Sequence, residues 1–166
     1  MAPARAKPTL NRRRAARLAA VQALYQVEVT GERPEKVAGE FTEHRLASLL
    51  EPIDPETASP EVDREWFRMV VVGSWGARDR LDTEIERCLA PGWTLARCGF
   101  LLRATLRAGA YELAERTDVP VKVVINEYVE LAHLFFTDTE PGFVNAVLDR
   151  LGPKLRVEET GPSSAQ

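Results

Sequence analysis

The stretch from Val119 to Leu151 limits the possible folds of this chain more than any other part. Its first half places apolar side chains at helical spacing on one face: Val121, Val124, Ile125, Tyr128, Leu131, Ala132 and Phe135. Its second half repeats the pattern: Phe143, Val144, Val147, Leu148 and Leu151. Thr139-Glu140-Pro141 lies between them and is typical of a helix start, since a hydroxyl caps free N–H groups and proline fits the first turn. Two helices with one apolar face each need partner surfaces, which the rest of the chain must supply.

The preceding part of the chain shows the same helical periodicity. Four more helices are predicted, over about residues 9–30, 34–50, 59–89 and 96–116. The first is predicted to be capped by Thr9 or Asn11 and to stop at Gly31. Gly73 and Gly76 lie inside the third helix and predict close packing or a bend there, because glycine lowers helix propensity. Apolar residues show no sustained alternation of period 2, so the predicted fold class is all-α.

Polar segments divide the chain into one domain and its appendages. Residues 1–8 are predicted to form a flexible basic arm, and residues 157–166 a disordered tail. The three prolines of residues 51–60 predict a surface loop. Residues 9–156 are long enough for a single helical domain with a real core and short for two.

Positive charge is concentrated at the N-terminus, although the net charge of the whole chain is −3. The first 17 residues contain six bases and no acid: Arg5, Lys7, Arg12, Arg13, Arg14 and Arg17. The other 149 residues carry 16 bases against 25 acids, a balance of −9. A helix start normally favours acids, because its free N–H groups carry partial positive charge. Arginines there indicate a phosphate or another polyanion as ligand, although a cluster that only aids solubility stays open as the alternative.

Beyond its first turn, the predicted helix that follows Pro120 carries Asn126, Glu127, Glu130 and His133. Asn126 and Glu127 interrupt its apolar segment, and Glu127 is the candidate for a buried polar group bonded to a neighbouring helix end. Glu130 and His133 are three residues apart, a spacing that can hold a metal. Because the chain contains no second Glu-x-x-His unit, a solvated or salt-bridged face is favoured.

Three phenylalanines surround the predicted turn at residues 137–142: Phe135, Phe136 and Phe143. At least one is expected to belong to the core, yet three rings exceed what such a turn usually buries. An exposed ring close to a basic arm would suit stacking on an unpaired base. Lys122 adds a cation to the first turn of its helix and is a second candidate for phosphate binding.

Several function classes are excluded by motifs that the sequence lacks. It contains no Gly-rich phosphate loop, no GxGxxG after a strand and no GxSxG, so it is not predicted to be an enzyme. Cys88 and Cys98 have neither metal-ligand nor redox spacing, and neither a metal nor a cofactor is expected. With only these two cysteines and no CxxC, a reducing cytoplasm is the expected location. No apolar run reaches the roughly 18–20 residues of a membrane span.

Four segments together resemble the family of the bacterial transcription antitermination factor NusB. They are RRRAARLAAVQALYQVEVTG (Arg12–Gly31), LRAGAYEL (Leu106–Leu113), TDVPVKVVINEYVELAHLF (Thr117–Phe135) and PGFVNAVLDRL (Pro141–Leu151). The resemblance extends from about Arg12 to Arg156 and is weakest between Glu32 and Ala96. It implies an all-helical fold of about seven helices in two packed subdomains.

The resemblance also implies a function. A NusB-like protein binds the single-stranded boxA element of ribosomal RNA leader transcripts and forms a heterodimer with NusE, a small-subunit ribosomal protein. The pair recruits further Nus factors to the RNA polymerase elongation complex and suppresses premature termination. An adaptor that binds only proteins, with its basic arm as a solubility device, is the alternative.

The same resemblance assigns roles to individual residues. RNA-binding residues are expected at Arg12, Arg13, Arg14, Lys122, Phe143 and Asn145, and the aromatic turn described above adds Phe135. The protein partner is expected to contact Tyr25, Glu112 and Glu115. The turn Thr137–Gly142 departs from the family pattern, in which an acid followed by serine or a base is common, so its polar contacts are not carried over.

Overall fold

The structure, a computed structural model, describes residues 11–46 and 62–156. Seven α-helices occupy these two ranges: α1 (Arg12–Thr30), α2 (Pro34–Glu40), α3 (Arg64–Gly76), α4 (Arg78–Glu86), α5 (Phe100–Glu115), α6 (Val121–Phe135) and α7 (Glu140–Leu155). A π-helical turn, Phe41–Arg45, follows α2, and a 3-10 turn, Leu95–Arg97, precedes α5. The described residues contain no strand, so the all-α prediction is confirmed. The predicted arm (1–8), loop (51–60) and tail (157–166) lie outside the described ranges.

The two ends of α1 follow directly from its sequence. The Asn11 side chain accepts a hydrogen bond from the backbone N–H of Arg14 at 2.8 Å, which caps the helix as predicted. Gly31 has a φ of +73° and its N–H donates to the Val27 carbonyl at 2.9 Å, so a glycine ends the helix. Between them, small buried residues let α3 and α5 approach closely: Ala15, Ala16, Ala19, Ala20 and Ala23.

The predicted helix at 59–89 starts later than expected. Residues 62 and 63 are not helical, and α3 begins at Arg64. The Asp63 side chain accepts a hydrogen bond from the N–H of Trp66 at 3.0 Å. The start at Ser59 was therefore wrong, because Asp63 supplies the cap that the Ser-Pro-Glu signal had suggested four residues earlier.

The same helix is also broken in the middle, as its glycines predicted. α3 ends at Gly76 and α4 begins at Arg78. A Cβ atom added at Gly73 would lie 2.3 Å from the Tyr111 ring, so the missing side chain lets α3 pack tightly against α5. Gly73 therefore allows the close packing that was predicted, and Gly76 lies at the break between α3 and α4, where a bend was predicted.

The second predicted boundary that differs is the start of α5. It begins at Phe100, because Leu95–Arg97 forms a separate 3-10 turn and Gly99 has extended backbone. From there α5 runs through the middle of the molecule. A Cβ atom added at Gly109 would lie 2.9 Å from Leu148, which shows how closely α7 approaches α5.

The predicted pair of helices at the C-terminus is confirmed as α6 and α7. The two helices are antiparallel, since a Cβ atom added at Gly152, late in α7, would lie 3.0 Å from Val121 at the start of α6. Thr139 precedes α7, but its hydroxyl makes no capping bond, so that part of the start signal was wrong. α1, α2 and α3 pack together, as do α5, α6 and α7, and contacts of α5 with α1 and α3 join the two groups around a shared apolar core.

Candidate nucleic-acid interface

The start of α1 brings the three predicted arginines into different surroundings. Arg12 is exposed. The Arg13 side chain is 46% exposed, and its guanidinium lies 3.9 Å from the centre of the Trp66 ring. The Arg14 side chain is only 15% exposed, and its Nε donates to Glu127 Oε2 at 2.7 Å. Arg14 is thus held by a carboxylate of α6, and its role as a phosphate ligand stays a prediction.

A buried ionic network explains why Arg14 turns inward. Arg17, only 2% exposed, donates from Nε and Nη2 to the two carboxylate oxygens of Glu112, each at 2.8 Å. Its Nη1 also lies 3.5 Å from Glu127 Oε1. Two guanidinium groups and two carboxylates therefore neutralise one another where α1, α5 and α6 meet. The prediction that Glu127 is a buried polar group bonded to a neighbouring helix end is confirmed.

Glu112 is the centre of this network and not a surface residue. Its side chain is fully buried, and it also accepts hydrogen bonds from the Tyr128 hydroxyl and from Trp66 Nε1. Its predicted contact with a protein partner is wrong, because no partner can reach it in this fold. The pKa of Tyr128 is raised well above the usual 10, first by burial and then by the negative charge of Glu112, while Arg17 opposes the shift.

Lys122 and Asn145 come together in a groove between α6 and α7. The groove has a volume of about 570 Å³, and both exposed side chains line it. Its other polar lining is mixed: Asn126, His133, Glu130, Asp138 and Asp149. The groove therefore offers one lysine, one histidine, two amides and three acids, a mixed polar surface suited to base edges, with Lys122 as its one candidate for phosphate.

The predicted residues lie on different sides of α6 and α7. Lys122 and Glu127 are five residues apart, which places them about 140° apart around α6. The groove and the arginines of α1 therefore flank opposite sides of that helix. On α7, Phe143 and Asn145 are about 160° apart, so Asn145 lines the groove and Phe143 faces away from it. A ligand that touches all of them must cross both helices.

The three phenylalanines of the turn are partly buried and pack against the core. Phe135 and Phe136 contact each other edge to face, with ring centres 6.3 Å apart. Phe143 meets a different ring, Trp93, with centres 6.5 Å apart and planes at 69°. Sequence reasoning missed Trp93, because 50 residues separate it from Phe143; its place just after Pro91-Gly92, a turn signal, was the available clue.

Of the three predicted partner-binding residues, the structure exposes two. Tyr25 is 43% exposed and lines a groove of about 370 Å³ between α1 and the π-helical turn. Val29, 53% exposed, and Phe41 line the same groove and were not predicted. Glu115 is exposed and forms an ion pair with Arg80 at 2.8 Å. Tyr25 and Glu115 are therefore accessible, in contrast to Glu112.

Metal and membrane signals are weak in the described ranges. Side chains of His, Cys, Asp and Glu there form no group of three or more that could hold a metal ion. Cys88 and Cys98 are free thiols and both are buried. None of the helices in residues 11–46 and 62–156 is long and apolar enough to cross a membrane.

Comparison with known proteins decides the family. The model of the NusB family matches residues 14–152. The chain belongs to the NusB family. The transcription antitermination protein NusB of Allorhizobium ampelinum is 48% identical over 149 residues, which cover 90% of this chain and 91% of that protein. The protein of the same name from Bradyrhizobium sp. is 47% identical over 152 residues, or 92% and 88% of the two chains.

Solved NusB structures share the fold. NusB of T. maritima is 30% identical and matches with a TM-score of 0.63 over 87% of this chain and 94% of its own. The antitermination factors NusB and NusE have been solved in complex with dsRNA. A chain of that complex is 22% identical and matches with a TM-score of 0.64 over 85% and 96% of the two chains, which supports the fold alone. The relatives are named as transcription antitermination proteins, in agreement with a non-enzymatic factor.

Proposed function

We propose that this NusB-family chain is a transcription antitermination factor that binds single-stranded boxA RNA together with NusE. The observation that carries the proposal is the identity of 48% to an antitermination protein, spread over nine-tenths of both chains. A cytoplasmic location follows from that role, since transcription takes place there in bacteria. The pair would join the RNA polymerase elongation complex through other Nus factors.

The RNA is proposed to cross the first turns of α1 and the α6–α7 groove. Arg12 and Arg13 are exposed at a helix start whose first turn contains no acid, which suits phosphate. The contact of Arg14 with Glu127 fixes that helix start beside α6. Lys122 would bind phosphate from the groove, while the Asn145 amide would donate to or accept from a base edge.

NusE is proposed to contact the groove that contains Tyr25. Two exposed apolar side chains, Tyr25 and Val29, sit side by side there and fit a protein partner better than a phosphate backbone. The negative balance of the chain outside its first 17 residues complements a basic ribosomal protein. Glu115 is the other exposed candidate for such a contact.

Fluorescence anisotropy with labelled RNA tests this function. A boxA-like strand and a scrambled strand are compared with and without NusE, at two salt concentrations. We expect tighter binding of the boxA-like strand and a further gain when NusE is present. Equal, weak and salt-sensitive binding of both strands would contradict the proposal, because the basic helix start would then be a generic polyanion patch.

A matched pair of variants tests the arginine contacts. Arg12→Ala/Arg13→Ala should weaken every RNA to a similar extent and reduce the salt dependence, because phosphate contacts carry no sequence information. Arg33→Ala/Arg87→Ala removes two exposed arginines elsewhere and serves as the control, with no expected change. Equal losses in the two double variants would mean that only net charge matters.

A further inference from the structure

Trp93 is a large aromatic side chain that the fold leaves exposed beside the proposed RNA path. Its accessibility is 40%, whereas Trp66 is 4% exposed and Trp75 is partly buried. We infer that Trp93, with Phe143 and Arg97, forms a stacking platform for one unpaired base of the bound RNA. This inference rests on the proposed RNA-binding function and adds a residue that neither the sequence nor the family assignment had pointed to.

The indole is held by a short, well-anchored turn. The backbone N–H of Trp93 donates to the Ala90 carbonyl at 3.0 Å, and Gly92 has a φ of +81°, a conformation that favours glycine. Arg97 Nη1 donates to the Gly92 carbonyl at 3.1 Å. A ring that is already fixed loses little conformational freedom when a ligand stacks on it.

A second anchor ties this turn to α7. Arg150 Nη1 donates to the Cys88 carbonyl at 3.0 Å, across 62 residues of sequence. The edge-to-face contact of Trp93 with Phe143 joins the same two parts of the molecule. The turn and α7 therefore present their aromatic rings as one unit.

The surroundings of the indole favour a nucleotide over an apolar protein segment. The Arg97 guanidinium lies over the Trp93 ring, 4.9 Å from its centre, so a base would stack on the opposite face of the indole. A base needs an aromatic face, and the phosphate attached to it needs a cation close by. Trp93 and Arg97 supply these two requirements within one turn, and Phe143 supports the indole from the side.

The platform also continues the proposed path of the RNA. Asn145 lines the α6–α7 groove, and Phe143, two residues earlier, faces the other side of the same helix. The groove lining includes Pro141 and Gly142, at the start of α7, so it reaches the residues that immediately precede Phe143. A strand that leaves the groove over this first turn would arrive at Phe143 and Trp93.

The test measures RNA affinity by anisotropy for the full chain and three variants. Trp93→Ala should weaken binding of the boxA-like strand by roughly 5- to 150-fold, the usual range for loss of one base–aromatic stack. Trp93→Phe should restore most of the affinity, because it keeps a stacking face. Phe100→Ala removes another exposed aromatic ring, 43% exposed and next to its own arginine, and should leave affinity unchanged.

Intrinsic fluorescence gives a second readout that does not depend on a folded alanine variant. RNA should quench tryptophan emission in the unmodified protein and protect it from acrylamide, and both effects should be clearly smaller in Trp93→Phe, in which Trp66 and Trp75 alone emit. RNA binding that is equal in Trp93→Ala and the unmodified protein, without protection of Trp93, would overturn the platform alone. Failure of the unmodified protein to bind any RNA would overturn the proposed function together with it.

Discussion

The two faces of the first turns of α1 use the same residue type in opposite ways. On the outer face, Arg12 and Arg13 are exposed to solvent, and Arg13 makes only a long contact of 3.8 Å from its Nε to Asp63 Oδ2. On the inner face, Arg14 and Arg17 bind the carboxylates of Glu127 and Glu112. All four arginines lie within six residues, and the sequence alone makes them one basic cluster. The difference teaches that only part of such a cluster is available to RNA, because the other arginines form ion pairs with buried carboxylates.

The largest expected effect comes from breaking the inner face at its centre. Glu112→Ala would leave the buried Arg17 without its partner and would remove the acceptor for Tyr128 and Trp66. Loss of one member of a buried ion pair typically costs about 3–5 kcal/mol. Urea unfolding should show a loss of this size, while Glu115→Ala, three residues on and exposed, serves as the control. A small effect of Glu112→Ala would mean that the network does not stabilise the fold.

A second effect appears at alkaline pH. The pKa of Tyr128 is raised in the folded protein by burial and by Glu112. The unfolded chain therefore releases this proton first, near pH 10, and the free energy of unfolding should fall as pH rises above that value. Tyr128→Phe should flatten the fall, which unfolding curves recorded between pH 9 and 11 would show. An equally steep fall in the variant would assign the titration to another group.

A smaller effect is expected at the border between the two faces. Glu127 is slightly less buried than Glu112, at 9% exposed against 0%, so Glu127→Gln should destabilise the protein less than Glu112→Ala does. It would also release Arg14 from its carboxylate and add one positive charge near the exposed arginines. RNA affinity measured by anisotropy should therefore hold or increase despite the lower stability. A marked loss of affinity would show that the position of Arg14 matters more than its charge.

How far the sequence predicts the molecule depends on the range of the interactions involved. Helix ends made by local contacts were predictable: Asn11 caps α1 and Gly31 ends it. The start of α3 was not, because the sequence contains two candidate caps four residues apart, and the hydrogen bond from the N–H of Trp66 goes to Asp63. In the candidate site, too, local features were predictable and long-range contacts were not. Lys122 and Asn145 share a groove, but the burial of Glu112 depends on three partners from other helices, which no local pattern contains.

The most direct test compares Arg13→Ala with Arg14→Ala, since each removes one positive charge from the same helix turn. The measurement is the slope of log Kd against log salt concentration for boxA-like RNA. For single strands each phosphate contact contributes about 0.7 to this slope. We predict a slope lower by about 0.7 in Arg13→Ala and an unchanged slope in Arg14→Ala, whose guanidinium already binds Glu127. Equal changes in both variants, or a change only in Arg14→Ala, would contradict the division of α1 into an RNA-facing and a core-facing side.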